Sequence, residues 1–347
     1  MKRSPRPKSA YQGYQGNRRR RRRHANPFPL ILVLVLLAGG GFLLYRHFHT
    51  AEPAQPDQPG QSLADTDAPS EEEAGTKPLE EHMTTPSGIP CTLTELGADA
   101  LYTGDLILVN NQIFYHFPEE PEKDLAVIFD GKTSSYYVRD MEVLLAPHAL
   151  AALNEMMDAF QAQGGSKSVN VVAGFRTKEF QQHLFDQSAE LNGLDHAKQF
   201  VAQPGGSEHH TGLVVDFSIL HSDGSSEDYR GAGEYAWINA NCQDYGWVVR
   251  YDMSKVALTG ISTEPWHFRY VGVPHATVMV QEDLCLEEYI DYLRQFTFDQ
   301  EHLTVECAAG TYEIWYAEGT GIHVPDSGEY TVSGNNVDGT IVTCKVG

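Results

Sequence analysis

The spacing of apolar residues predicts alternating helices and strands from about residue 91 onward. Pro147 opens a stretch with apolar residues at helical spacing, and the Gly164-Gly165 pair follows it. This arrangement is typical of a helix with proline in its first turn and glycine beyond its end. Val169–Ala173 has the uninterrupted apolar character of a buried strand. A second helix is predicted to follow that strand and to end near Leu191.

Shorter segments complete the predicted α+β fold. Residues 105–117 have the pattern of two short strands joined at the Asn110-Asn111 turn. We therefore expect a small antiparallel sheet with flanking helices at 91–296, followed by a small all-β appendage at 297–347. The other predicted elements are strands at 213–217, 247–251, 312–316 and 340–346 and helices at 234–244 and 287–296.

An apolar run precedes these elements. Residues 28–45 contain no charged side chain, and a transmembrane helix needs roughly 20 apolar residues. Ten of the 25 lysines and arginines lie before residue 24, which favours a cytoplasmic N-terminus. We therefore expect a basic cytoplasmic tail at 1–27, a single-pass anchor in the cell membrane at 28–45 and an extracellular location for the rest. A cleaved signal peptide is the alternative, although no small-residue cleavage site follows the run.

Residues 46–90 are rich in proline and acidic side chains. Such a composition buries too little apolar surface to fold, so a disordered acidic linker is predicted here. The whole chain has a formal net charge of −22. From Ala51 onward, 14 basic residues stand against 47 acidic ones, a net charge of −33. This charge excludes nucleic acid as a partner of the globular part.

Two separated motifs carry the candidate chemistry. The first, SEHHTGLVVD at 207–216, contains His209 and Asp216, which can converge if the histidine lies on a loop and the aspartate projects from the next strand. The second, EPWHFRY at 264–270, supplies His267 as a third zinc ligand. Three protein ligands leave one zinc position open, which is the mark of a catalytic site. Glu264, three residues before His267, can then take a proton from water beside the metal.

The motifs S-x-H-x-x-G-x-x-x-D and E-P-W-H together resemble those of VanY-like D-alanyl-D-alanine carboxypeptidases, in the LAS-type group of zinc metallopeptidases. The resemblance spans residues 169–272 and includes GFRT at 174–177. One departure is Val214, where the family usually has alanine, and this change affects packing rather than ligation. The resemblance implies that the domain at 91–296 removes the terminal D-Ala from peptidoglycan stem peptides outside the cell.

The resemblance also implies roles for single residues. His209, Asp216 and His267 would bind Zn²⁺, and Glu264 would be the general base and acid. Arg176 matches the family arginine that contacts the substrate and stabilises the oxyanion. The positions that match residues holding the terminal D-Ala are Ser207, Gln181 and Tyr251.

Two other functions are compatible with these motifs. One is L,D-carboxypeptidase activity on tetrapeptide stems, which occurs in the same family. The other is a non-catalytic cell-wall binding or signalling module on the same fold. The presence of Glu264 beside a full set of ligands favours retained chemistry over the second alternative.

Other polar and sulfur-containing side chains have simpler interpretations. His210, next to a predicted ligand, is expected to face solvent or the rim of the substrate site. Cys307 and Cys344 lie in two strand-like segments and are candidates for a disulfide. The other three cysteines lack metal-type spacing and are expected to be small buried residues.

Overall fold

A six-stranded sheet forms the centre of the protein, in a computed structural model that describes residues 82–346. Its strand order is β4-β6-β7-β10-β9, and β8 pairs with β7. The strands of the chain are β1 His82–Thr84, β2 Pro90–Glu95, β3 Ala126–Val127, β4 Tyr137–Val138, β5 Leu144–Leu145, β6 Val169–Ala173, β7 Val214–Leu220, β8 Ser226–Asp228, β9 Trp247–Tyr251, β10 Glu264–Tyr270, β11 Leu303–Cys307, β12 Gly310–Glu318, β13 Gly321–Pro325, β14 Tyr330–Gly334 and β15 Gly339–Lys345.

Helices flank this sheet, and four of the eight α-helices in residues 82–346, at 147–162, 178–192, 236–241 and 286–293, lie where the sequence predicts them. The longest begins at Pro147, and its apolar stripe from Leu150 to Phe160 is buried in the same core as sheet residues such as Val171 and Phe217. The helices are α1 Ile128–Gly131, α2 Pro147–Ala162, α3 Lys178–Asn192, α4 Leu194–Phe200, α5 Ala236–Asn241, α6 Val256–Thr259, α7 Val273–Gln281 and α8 Leu286–Leu293.

The predicted mixed fold of helices and strands is confirmed, with one difference in the sheet. All the pairings of the central sheet are antiparallel except that between β4 and β6, which is parallel. The short strand β4 precedes α2, and the chain passes through that helix before it enters β6. A helical crossover of this kind joins parallel strands, so the sheet is mixed rather than wholly antiparallel.

Residues 105–117 do not form the two predicted strands. The turn at Asn110 is present, because its Oδ1 accepts hydrogen bonds from the backbone N–H groups of Gln112 and Ile113. The Asn110 N–H also donates to the Ile113 carbonyl. Beyond this turn the backbone bonds to distant parts of the chain: Leu108 donates to the Asn335 carbonyl, and its own carbonyl accepts from the Asn336 side chain. The segment is therefore held as an irregular loop by tertiary contacts.

The C-terminal strands form a four-stranded sheet of order β11-β12-β15-β14. A separate three-stranded sheet has the order β1-β2-β13. Strand β1 begins at His82, inside the segment predicted to be linker up to residue 90. One core cluster contains residues from both sides of the predicted boundary at 296/297, among them Leu106, Tyr289, Ile314 and Ile341. The C-terminal strands thus share their core with the preceding domain.

Several sequence predictions concern residues before the first described strand. The basic tail at 1–27, the anchor at 28–45 and the linker as far as residue 81 lie outside the described residues. Within residues 82–346, no helix has the length and apolar character needed to cross a bilayer.

All five cysteines are free thiols, so the candidate disulfide between Cys307 and Cys344 is absent. Cys307 pairs with Gly310 on one side of β12, whereas Cys344 pairs with Glu313 on the other side. Strand β12 therefore lies between the two strands that carry these cysteines.

Candidate active site

Two neighbouring strands place Asp216 and His267 opposite each other. The residues are direct Cα partners in the antiparallel pairing of β7 with β10. His209 comes from a short 3₁₀ turn, Glu208–Thr211, that leads into β7 through Gly212. Gly212 has a φ of 70°, and a Cβ there would lie 2.7 Å from a methyl carbon of Leu125. A side chain at this position would therefore both strain the backbone and collide, which explains the glycine between His209 and the strand.

The three side chains converge on one point. His209 Nε2 lies 3.2 Å from Asp216 Oδ2, and His267 Nδ1 lies 3.1 Å from Asp216 Oδ1. One potential ligand atom from each residue falls within 4.8 Å of the others. Across residues 82–346, no second group of this kind is found. All three side chains are buried.

The donor set fits zinc. His209 Nδ1 lies 2.6 Å from the carbonyl oxygen of Gly174, so the Nδ1–H donates there and Nε2 is left free for a metal. Burial lowers the pKa of His209 to about 4, an effect to which the charge of Arg176 adds. The ring is therefore neutral near pH 7, as a metal ligand must be. Two imidazole nitrogens and a carboxylate oxygen are a frequent set in catalytic zinc sites.

His267 lies among carboxylates. Burial alone would lower its pKa, but the neighbouring carboxylates of Asp216, Glu208 and Glu264 raise it to about 9. The same negative charges that favour a proton on this ring favour any cation placed beside it. The site is thus electrostatically suited to a positive ion.

Glu264 lies beside the group of His209, Asp216 and His267, here called the metal group, but is not part of it. Its Oε2 lies 3.5 Å from His267 Nδ1, and its side chain is 21% exposed. Burial raises the pKa of Glu264 above its ordinary value, and the charge of His267 opposes that rise. A carboxylate with a raised pKa is a stronger base, and it can accept a proton and return it.

Arg176 forms an ion pair with Asp216. Its Nη2 donates to Asp216 Oδ2 over 2.8 Å, and its backbone N–H donates to the His209 carbonyl. Arg176 also lines the cavity that the three candidate ligands share. A fixed positive charge at this place can stabilise a developing oxyanion.

The cavity before the ligands has a volume of about 260 Å³. Ser207, Gln181 and Tyr251, the predicted substrate-binding residues, all line it. Gln181 is 1% exposed, and its Nε2 donates to the Ala202 carbonyl. Its Oε1 has no hydrogen-bond partner within residues 82–346. A larger cavity of about 530 Å³, beside Tyr102, contains none of the predicted site residues.

His210 does not face solvent, contrary to the prediction. It is 1% exposed, its Nδ1 lies 2.7 Å from the Arg176 carbonyl, and its Nε2 accepts from the Gly205 N–H. Because Nε2 accepts, the Nδ1–H donates to Arg176. His210 therefore joins the loop that carries His209 to the segment that carries Arg176.

A buried charge network, which was not predicted from the sequence, lies next to the candidate ligands. Glu208 is 1% exposed and accepts a hydrogen bond from Arg250 Nε over 2.8 Å. Arg269 Nη1 lies 3.3 Å from the same oxygen. Burial would raise the pKa of Glu208, but the two guanidinium groups lower it well below its ordinary value. The only sequence feature that pointed to this network was the position of Glu208 next to His209. Burial of the three charges depends on the packing of elements that are distant along the chain.

Comparison with known proteins gives the relationship of this chain. A sequence model described as "VanY: D-alanyl-D-alanine carboxypeptidase" matches residues 142–273, which include every predicted site residue. A D-alanyl-D-alanine carboxypeptidase of Enterococcus faecium is 32% identical over 258 residues, 73% of this chain and 78% of the relative. The bifunctional D-Ala-D-Ala dipeptidase and carboxypeptidase VanXYC of Enterococcus gallinarum is 38% identical over 159 residues, 45% of this chain and 82% of the relative.

A solved structure extends the similarity to the fold. The vancomycin resistance D,D-dipeptidase VanXYg, in complex with a D-Ala-D-Ala phosphinate analog, has a TM-score of 0.65 and 31% sequence identity to this chain. The match covers 73% of this chain and 98% of that protein. Its sequence relatives, its fold and the convergence of its two motifs in one cavity show that the chain belongs to the VanY family of D-alanyl-D-alanine carboxypeptidases.

Proposed function

We propose that this protein is a zinc-dependent D-alanyl-D-alanine carboxypeptidase that removes the terminal D-Ala from peptidoglycan stem peptides. The observation that carries the proposal is the convergence of His209, Asp216 and His267 on one point, with Glu264 beside them. Membership of the VanY family supplies the substrate class, because the relatives are named for action on D-Ala-D-Ala.

The chain supplies the groups that such a hydrolysis needs. His209, Asp216 and His267 would hold a Zn²⁺ ion, which would supply a Lewis acid for the scissile carbonyl and lower the pKa of water. Glu264 takes the proton of the attacking water and returns it to the leaving amine of D-Ala. Arg176 holds a positive charge where the carbonyl oxygen becomes negative. The buried Gln181 Oε1, without a partner in residues 82–346, can accept a hydrogen bond from the bound peptide.

We further propose that the catalytic domain works outside the cell, on a single-pass anchor at 28–45 whose N-terminus is cytoplasmic. The support is the uncharged apolar run at 28–45 and the arginine-rich segment before it. Stem peptides of peptidoglycan are on that side of the membrane. Protease treatment of intact spheroplasts tests this location: cleavage within residues 82–346 without lysis is expected, and full protection would refute it.

The activity is tested on the full-length chain by metal analysis combined with a peptide assay. We expect one zinc ion per chain and release of D-Ala from a pentapeptide stem ending in D-Ala-D-Ala. A chelator should abolish the release, and added Zn²⁺ should restore it. A tetrapeptide stem assayed in parallel distinguishes D,D- from L,D-carboxypeptidase activity. Absence of zinc, or of hydrolysis of either peptide, would contradict the proposal.

A further inference from the structure

The two histidines of the metal group present opposite ring nitrogens to Asp216. His209 uses Nε2, and its Nδ1–H is fixed by the Gly174 carbonyl. His267 uses Nδ1, so its Nε2 must carry the proton when Nδ1 binds a metal. Nε2 of His267 makes no hydrogen bond within the described residues, and the nearest carboxylate oxygen is Glu208 Oε2, at 3.5 Å. Glu208 is therefore the group available to hold this tautomer.

The two oxygens of Glu208 have different surroundings. Oε1 accepts from Arg250 Nε over 2.8 Å and lies 3.3 Å from Arg269 Nη1. Oε2, the oxygen that faces His267, has no hydrogen-bond partner within residues 82–346. A buried carboxylate oxygen without a donor is costly. Both arginine contacts are thus made to Oε1, and Oε2 is the oxygen that faces the His267 ring.

The arginines are themselves fixed in place. Arg269 donates through Nη2 to the carbonyls of Asp105 and Ile107. Arg250 donates through Nη2 to Glu287 of α8 over 2.8 Å. Both guanidinium groups are 0% exposed at the side chain. Because neither arginine can move without breaking buried bonds, the orientation of the Glu208 carboxylate is determined by the surrounding fold.

We propose that Glu208 is a positioning residue, which accepts the Nε2–H of His267 and so holds that ring with Nδ1 toward the metal. The inference rests on the proposed zinc site. A carboxylate behind a metal-bound histidine fixes the ring and increases its basicity, and loss of such a partner typically weakens metal binding about 10- to 100-fold.

The test is zinc affinity of the full-length chain, measured by competition with a chromophoric chelator. Glu208→Gln keeps the size of the side chain but loses the charge, and we expect zinc to bind about 10- to 100-fold more weakly than in the parent. Glu208→Asp, which keeps the charge, should recover part of that loss. A circular-dichroism melt of each variant establishes that it is folded.

Glu313→Gln is the matched control. Glu313 is also buried, at 4% exposure, and its Oε2 lies 3.6 Å from Nδ1 of the buried His302. The pair resembles Glu208 and His267 but does not belong to the metal group. Its substitution should leave zinc affinity unchanged. A folded Glu208→Gln variant with the affinity of the parent would overturn the inference, whereas absence of zinc from the parent would refute the proposed function.

A measurement on the parent protein decides the matter if Glu208→Gln does not fold. In ¹⁵N-histidine-labelled, zinc-loaded protein, we expect His267 to be protonated at Nε2, with a slowly exchanging proton at low field. Zinc bound through Nε2 of His267, or a rapidly exchanging Nε2–H, would overturn the inference. Assignment follows from the His209 ring, which has the opposite tautomer.

Discussion

Asp216 bridges the site at the scale of single residues. One of its oxygens lies 3.2 Å from His209 and the other lies 3.1 Å from His267. Arg176 adds a hydrogen bond to the first oxygen. These contacts hold the pKa of Asp216 well below its ordinary value in spite of burial, which would raise it. The surroundings therefore favour the ionised carboxylate, which is the form that can serve as a metal ligand.

Glu264→Gln should separate metal binding from catalysis. The amide keeps the shape of the side chain but cannot take a proton, so kcat is expected to fall by about 10²–10⁴-fold. Zinc content should stay the same, because Glu264 is not one of the three converging ligands. Steady-state kinetics with D-Ala-D-Ala peptides and metal analysis of the same sample check both points. A variant with the kcat of the parent would refute the role of Glu264.

Gln181→Leu tests the substrate contact proposed for the unpartnered Oε1. Loss of one hydrogen bond, at roughly 1.4 kcal/mol, corresponds to about a tenfold rise in KM. The matched control is Gln182→Leu on the same helix, because Gln182 is exposed and bonds only to Asp186 among the described contacts. Equal KM values for the two variants would show that Gln181 has only a structural role.

The candidate ligands could be found from the sequence because they occur in motifs of fixed spacing. His209 and Asp216 are brought together by a turn and the strand after it, which is a local arrangement. Glu208, Arg250 and Arg269 could not be identified in the same way. Their function depends on being buried together, and that follows from the packing of β9 and β10 behind the turn.

At the scale of secondary-structure elements, a buried histidine joins two helices to the C-terminal sheet. Nδ1 of His275, in α7, lies 2.8 Å from the hydroxyl oxygen of Tyr289 in α8. Its Nε2 lies 2.8 Å from the Thr343 hydroxyl of β15. Burial lowers the pKa of His275 to about 4, against an opposing effect of Asp105. This junction therefore depends on an uncharged ring.

Stability should accordingly decrease in acid, in part through His275. A histidine in the unfolded chain has a pKa near 6.5, whereas the pKa of folded His275 is about 4. Between these two pH values the unfolded chain therefore binds a proton that the folded chain does not bind. The contribution of the uncharged His275 ring to the free energy of unfolding is complete above pH 6.5. This contribution falls by about 2 kcal/mol between pH 7 and pH 5, at about 1.4 kcal/mol per pKa unit.

Urea denaturation at the two pH values measures this effect. His275→Gln should lose about 2 kcal/mol less stability on acidification than the parent. The exposed His183 provides the control, since His183→Gln should behave as the parent does. Metal release in acid affects all three proteins and cancels in the comparison. An identical acid loss in His275→Gln would contradict the assignment.

Elements with a strong local signal were predictable from the sequence, and those built by distant contacts were not. The helix at Pro147–Ala162 has a proline start, an apolar stripe and a glycine stop. The loop at 105–117 also has a strand-like pattern, but its polar backbone groups bond to Asn335, Asn336 and Gly205. Those partners are more than one element away along the chain. The local pattern of residues 105–117 therefore predicted strands that do not form.

At the scale of the whole molecule, the C-terminal strands complete a core that begins near residue 106. Ile314, Tyr316 and Ile341 pack in one cluster with Leu286 and Tyr289 of α8. Full burial of an apolar side chain of this size contributes about 1.5–3 kcal/mol. The strands therefore contribute to the stability of the helices that support Arg250 through Glu287.

Deletion of residues 303–347 should consequently unfold much of the protein. The loss of several such side chains is comparable with the total stability of a domain, about 5–15 kcal/mol. We expect the truncated chain to lack a cooperative thermal transition by circular dichroism and to lose zinc binding. The full-length chain, prepared in parallel, is the control. A truncated chain that melts cooperatively and retains zinc would show that residues 297–347 are an independent appendage.

The three-stranded sheet determines how a pull on the chain would be distributed. The described chain starts at β1, a three-residue edge strand that pairs only with β2, and β2 pairs in turn with β13. Tension applied through the residues before His82 therefore acts first on the pairing of β1 with β2. The sheet that carries Asp216 and His267 shares no strand with this one. Opening of β1 would thus leave every strand pairing of the sheet that carries the candidate site in place.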